Sequence, residues 1–232
     1  MLPIRDTIRS RSFPLVTWML IALNALVFFL ELGMGPAELD ALISGFGLVP
    51  ARLTVFNPFT WLPLLTHMFL HGGWVHFLGN VWTLAIFGDN VEDRLGSGRF
   101  LLFYLIGGVA AGLIQSWSTP NSLIPSIGAS GAIAAVMGAY FFYYPRARVI
   151  TLVPLFVLPW FVEIPALIYL GFWFVSQLFS GLLSLAAAQG MQMGGIAWWA
   201  HIGGFLFGLL MAGPLQARQK KPAWYQDEYY PW

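Results

Sequence analysis

Gly128-Ala129-Ser130-Gly131-Ala132-Ile133-Ala134-Ala135-Val136-Met137-Gly138-Ala139-Tyr140-Phe141-Phe142-Tyr143-Tyr144 carries no charge and places a serine between glycines at its start. Its length decides the fold. From Ser130 to Tyr144 there are 15 residues, which at about 1.5 Å each reach roughly 22 Å. The hydrocarbon of a bilayer is about 30 Å thick. A helix anchored on one side by Tyr143, Tyr144 and Arg146 therefore starts about 8 Å below the other surface. Ser130 is then submerged, and the loop 119–127 dips in to reach it. Irregular backbone at that depth is tolerated only where protein or a water-filled cavity surrounds it.

The rest of the chain supports a membrane setting. Its 232 residues are 58% hydrophobic and only 9% charged, with a mean hydropathy of +0.72. Soluble domains are about one quarter charged. An outer-membrane barrel needs alternating strands of about ten residues, whereas these apolar runs are continuous. A net charge of +1 gives no electrostatic case for nucleic acid. The absence of cysteine removes thiol catalysis, disulfides and thiolate metal sites together. Glu31-Leu32-Gly33-Met34 follows the first apolar run where a cleavable signal has small residues, so that run is expected to be retained.

Hydropathy predicts an all-α membrane protein with six spans, at 15–30, 73–87, 100–117, 130–144, 166–188 and 195–215. Pro154 and Pro159 interrupt the apolar stretch before the fifth span, and Pro165 suits its first turn. A loop packed at the membrane surface is expected ahead of Pro165. Arg5, Arg9, Arg11, Arg94, Arg99, Arg146, Arg148, Arg218, Lys220 and Lys221 share one side of this topology, and Arg52 alone lies on the other. The positive-inside rule then puts both termini in the cytoplasm. The divisions follow: a cytoplasmic segment 1–14, a six-span domain 15–216 and a cytoplasmic tail 217–232.

In this orientation the second, fourth and sixth spans all run inward. His76 and Asn80, Ser130, and His201 (about two turns from the outer end of its span) converge on the outer leaflet. Gly131, Ala134, Ala135 and Gly138 face the small residues Ala200, Gly204 and Gly208, so the two helices can approach closely. Ser130 opens a helix, where free amides and the positive dipole end favour a developing anion. Apolar surroundings keep His201 neutral and able to accept the serine proton. His76 and Asn80, four apart on one helix face, can join the Ser130 amide as oxyanion donors. His67 and His71 lie in the loop before that span with no carboxylate expected nearby. They are assigned a structural or surface role, and no metal is expected. Asp89, Glu92 and Asp93 fall on the inner side, and Glu31, Glu38 and Asp40 near the first loop, outside the apolar helices. No acid is left for a triad, so the expected machinery is a Ser130–His201 dyad.

These residues resemble the rhomboid family of intramembrane serine proteases. The resemblance runs from about Phe46 to Gly208. It is carried by Phe46-Gly47-Leu48-Val49-Pro50, by His67-Met68-Phe69-Leu70-His71-Gly72-Gly73-Trp74-Val75-His76-Phe77-Leu78-Gly79-Asn80 and by Gly88-Asp89-Asn90-Val91-Glu92-Asp93-Arg94-Leu95-Gly96. Gly128-Ala129-Ser130-Gly131 and Ala200-His201 with Gly204 and Gly208 complete it. The resemblance implies Ser130 as nucleophile, His201 as base, and His76, Asn80 and the Ser130 amide as the oxyanion hole. It also implies a rhomboid bundle with a short fourth helix, no cofactor, and membrane-protein substrates cut in or beside a transmembrane segment, with small residues at the cut. The 188–194 segment, with Met191 and Met193, resembles the family's lid, and the adjoining fifth span its lateral gate. Two positions depart: Trp61 is followed by Leu62 where many members have arginine, and Ala134 stands where some have a tyrosine stacked on the histidine.

Two other functions compete. An inactive relative that binds or escorts membrane proteins would be expected to have lost Ser130 or His201. A channel or transporter would carry polar groups onward to the inner leaflet. The expected setting is a bacterial plasma membrane, with lipid as solvent, single-span or other transmembrane proteins as substrates, and a monomeric or weakly associating chain.

Overall fold

The computed structural model describes residues 2–155, 158–187 and 196–216. The 188–194 segment read as a lid, and the tail carrying Arg218, Lys220 and Lys221, lie outside the described residues. In chain order the elements are β1 (Leu2–Asp6), α1 (Leu15–Leu32), α2 (Pro36–Phe46), α3 (Pro63–Thr66), α4 (Trp74–Leu95), α5 (Ser97–Ser118), α6 (Ser130–Tyr143), β2 (Arg148–Leu155), β3 (Leu158–Pro165), α7 (Ala166–Ala187) and α8 (Trp198–Leu215). Helices α1, α5, α7 and α8 are long and apolar enough to cross a membrane. The 22-residue α4 gathers Asp89, Glu92, Asp93 and Arg94 in its last two turns. At 14 residues, α6 is the short apolar helix.

Helix α6 is the centre of the molecule. Every residue from Gly131 to Tyr140 is buried, as a helix apolar on all faces must be. Small residues let its neighbours close in. A Cβ on Gly204 or Gly208 of α8 would strike the backbone carbonyl of Gly131 or Ala135, and one on Gly138 would strike that of Phe205. On another side, a Cβ on Gly107 of α5 would come within 2.6 Å of the Ala135 methyl. The α6–α8 contact is therefore nearly backbone on backbone, the arrangement that dispersion favours between apolar helices.

The start of α1 and the end of α4 are tied by carboxylates. Glu92 accepts from Val16 N at 3.0 Å, Thr17 N and Oγ1 at 2.8 Å, and Ser97 Oγ at 2.6 Å. An anion thus meets the free amides and positive dipole end of α1. Asp93 accepts from Arg11 N at 3.0 Å and Ser12 N at 3.1 Å. A one-residue turn joins α4 to α5 at Gly96, whose φ of +78° a side chain would resist.

The stretch before Pro165 differs from the surface loop expected of it. Strands β1, β2 and β3 form one antiparallel sheet in that order. Val149, Ile150, Thr151 and Val153 in β2, with Val162 and Ile164 in β3, are β-branched residues suited to a pleated ladder. The prolines are placed where a ladder tolerates them. Pro154 pairs with Pro159 near the hairpin turn, beyond the last β1 pair at Leu2–Leu152, so no inner ladder bond is lost. The first strand binds α6 as well: the Tyr140 hydroxyl donates to Asp6 Oδ2, and Asn90 Nδ2 donates to the same oxygen at 2.8 Å. Burial raises the Asp6 carboxyl from 3.8 to about 8.

Candidate active site

Ser130 is the first residue of α6, so its amide has no helical carbonyl one turn back to bond. The approach to it is shaped by Gly128, with φ of +119°. A Cβ there would lie 2.6 Å from His76 Cε1 and 3.6 Å from Asn80 Nδ2. Glycine is therefore required both by the left-handed backbone and by the two side chains that close on it. The Gly128 amide donates to the His67 carbonyl at 2.8 Å, and Leu48 bridges Ser126. These contacts fix the loop that delivers the serine.

Ser130 Oγ lies 2.8 Å from His201 Nε2. His201 stands in the first turn of α8, which begins at Trp198, one turn nearer the helix start than the hydropathy implied. Nδ1 of the same ring is 2.8 Å from Gln177 Oε1 on α7. Trp173 lies beside the imidazole at 5.9 Å, tilted by 35°, and Trp198 presents its ring edge-on at 6.2 Å. These two rings flank the histidine. The Ala200 amide donates to Gln115 Oε1 at 3.2 Å, which ties the start of α8 to the end of α5.

His76 and Asn80 both sit on α4. The Gly72 amide approaches His76 Nδ1 at 3.4 Å, leaving Nε2 as the protonated nitrogen facing Gly128. Asn80 is buried, and its Nδ2 has no acceptor among the described residues. A buried donor left open carries a desolvation cost that an incoming oxyanion would relieve.

His67 and His71 are buried at 5% and 3% exposure, which settles them as interior and not surface groups. His67 bonds the Pro63 carbonyl through Nδ1 at 2.7 Å. Burial lowers each imidazole to about 4. A carboxylate does lie nearby, contrary to expectation: Glu31 belongs to the last turn of α1, and its oxygens accept from the His71 amide at 3.1 and 3.2 Å. That amide occupies it. The four residues singled out from sequence thus meet around Gly128 and Ser130. Gln177, which no search for a third acid could find, joins them.

Residues 58–218 match the Rhomboid domain. The chain is 39% identical over 127 residues to the rhomboid protease GluP of Bacillus subtilis, an alignment covering 54% of this chain and 24% of that protein. It is 33% identical over 136 residues to the Bacillus subtilis relative YdcA, covering 57% of this chain and 63% of the relative. Presenilin-associated rhomboid-like protein A of Danio rerio mitochondria is 30% identical over 197 residues, 84% of this chain and 46% of that protein. The chain spans less than two thirds of each of these relatives. It belongs to the Rhomboid family and is a multi-pass membrane protein.

Proposed function

We propose that this chain is an intramembrane serine endopeptidase that cuts peptide bonds in or next to transmembrane segments of other membrane proteins. Ser130 Oγ attacks the scissile carbonyl carbon while its proton passes to His201 Nε2, which then gives that proton to the leaving amine. Water, deprotonated by the same nitrogen, hydrolyses the acyl-enzyme. The Ser130 amide, His76 Nε2–H and Asn80 Nδ2–H stabilise the tetrahedral oxyanion. The reading is carried by one observation: a serine hydroxyl and an imidazole, 71 positions apart, lie at 2.8 Å where two apolar helices begin. Polar groups this deep among apolar helices are costly unless they serve one another or a substrate.

The six helices α1, α4, α5, α6, α7 and α8 act as spans of a bacterial plasma membrane, with the termini cytoplasmic and the site opening outward. The charged inner end of α4 and the brevity of α6 are compatible with this. The first lets α4 end in the cytoplasm, and the second sinks Ser130 below the outer surface.

Expression with a single-span reporter tests the reading. Cleavage by the wild type is expected to disappear in Ser130→Ala and His201→Ala, and a fluorophosphonate is expected to label the wild type and spare Ser130→Ala. Cleavage that persists in Ser130→Ala after host proteases are excluded refutes it. Reporter binding without any cleavage would favour an escort protein.

A further inference from the structure

We propose that Gln177 is the positioning residue of His201, and that Ser176 sets the direction in which it acts. The inference rests on the reading of Ser130 and His201 as nucleophile and base, and extends it to a residue on a different helix. For Nε2 to accept the serine proton, the neutral ring must carry its hydrogen on Nδ1. That hydrogen needs an acceptor, and Gln177 Oε1 stands 2.8 Å away. An amide turned by 180° would instead offer N–H to Nδ1 and impose the wrong tautomer. The neighbouring bonds decide between the two. Ser176 Oγ donates its one proton to the Trp173 carbonyl at 2.6 Å and so meets Gln177 Nε2, at 3.1 Å, as an acceptor. With its amine so engaged, Gln177 turns its oxygen to the histidine. Donation then runs one way, from Ser130 through His201, Gln177 and Ser176 to a backbone carbonyl of α7.

The surroundings make this placement specific. Gln177 is 7% exposed, whereas Val175, Leu178 and Phe179 beside it point outward at 60%, 37% and 63% exposure. It is an inward-facing polar group on a helix that turns many large apolar side chains outward, and among the described residues no carboxylate hydrogen-bonds the imidazole in its place. A neutral acceptor holds the ring without adding charge that would favour imidazolium in the resting state.

The test combines fluorophosphonate labelling, pH profiles of kcat/KM on the reporter, and 15N-histidine spectra of the full chain in detergent, with His201 assigned through His201→Ala. The wild-type His201 signal is expected to be the Nδ1–H tautomer. Gln177→Leu is expected to lose that preference and to lower kcat and labelling by about tenfold to a hundredfold, a fraction of what a general base contributes, with KM unchanged. Ser176→Ala is expected to fall between it and the wild type. Gln177→Glu is expected to move the acid limb of the profile upward by about one pH unit or more, because an opposite charge favours imidazolium; a residue that only packs would not move it. A folded Gln177→Leu that labels at the wild-type rate with an unchanged histidine spectrum overturns the proposal. If that variant fails to fold, an unmoved acid limb in Gln177→Glu overturns it instead. Absence of Ser130 labelling in the wild type would refute the protease reading alone, since the histidine spectrum still reports on Gln177.

Discussion

Helices α6 and α7 both reach His201, yet they hold their neighbours in opposite ways. Between α6 and α8 the contact is made by glycine and alanine, and a single added Cβ would strike backbone. Helix α7 buries little of its surface: Leu167, Ile168, Phe172, Phe179, Leu182 and Leu183 all face outward. Its inner face meets α8 through rings, with Trp173 and Phe174 against Phe205, and through a hydrogen bond from His201 to Gln177. The serine–histidine distance is therefore set by a seam with no slack, while the histidine's orientation is completed from a helix that can shift at lower cost. Rigidity and compliance meet at one imidazole.

Breaking the seam should have the largest effect. Gly204→Val is expected to cost about 3 kcal/mol or more, as overpacking does where backbone blocks relaxation, and to abolish folded protein in detergent as judged by size exclusion and thermal melting. Gly128→Ala should separate chemistry from folding. Its Cβ enters the space of the His76 ring, so fluorophosphonate labelling is expected to fall about a hundredfold, the scale of one lost oxyanion donor. Backbone strain on a non-glycine residue at φ +119° adds about 1–3 kcal/mol, read as a drop in melting temperature.

Asp6→Asn examines the C-terminal end of α6, where Tyr140 meets the first strand. A carboxyl raised from 3.8 to about 8 keeps its proton in the folded chain after the unfolded chain has released it. Stability from this group is thus lost as pH rises between those values. Asparagine removes that slope and can still accept from Tyr140, so the variant should gain melting temperature over the wild type at pH 8 and not at pH 5. Leu182→Ala on the outer face of α7 should change stability by less than about 0.5 kcal/mol and leave labelling untouched. An effect there as large as that of Gly204→Val would erase the contrast between the two helices.

Much of this was legible before any coordinates. Continuous apolar runs mark α1, α4, α5, α6, α7 and α8, because a helix satisfies its own backbone and needs no distant partner. The small residues of α6 and α8 announced their close approach. The sheet was not legible. Pro154 and Pro159 read as helix breakers, and the partner of β2 lies far back at Leu2–Asp6, a pairing that local pattern cannot carry. Gln177 escaped for a chemical reason. The search was for an acid, yet a neutral amide accepts a hydrogen bond from Nδ1 as well as a carboxylate does. A lone glutamine in a lipid-facing helix was the available signal. Glu31 was assigned to the loop by its charge, but its bond to the His71 amide lets it end α1 inside the protein.

The pairing of β1 with β2 also imposes an order on biosynthesis. Asp6 leaves the ribosome about 140 residues before Val149, on the order of ten seconds or more at ~5–20 residues per second. Throughout that interval the first strand waits with its complement unmade. Pro3, which lacks an N–H, and the charged Arg5 make it a poor template for a stranger in the meantime. The nascent chain thus completes this sheet only after the helix that begins with Ser130 has been made, so its closure marks late maturation.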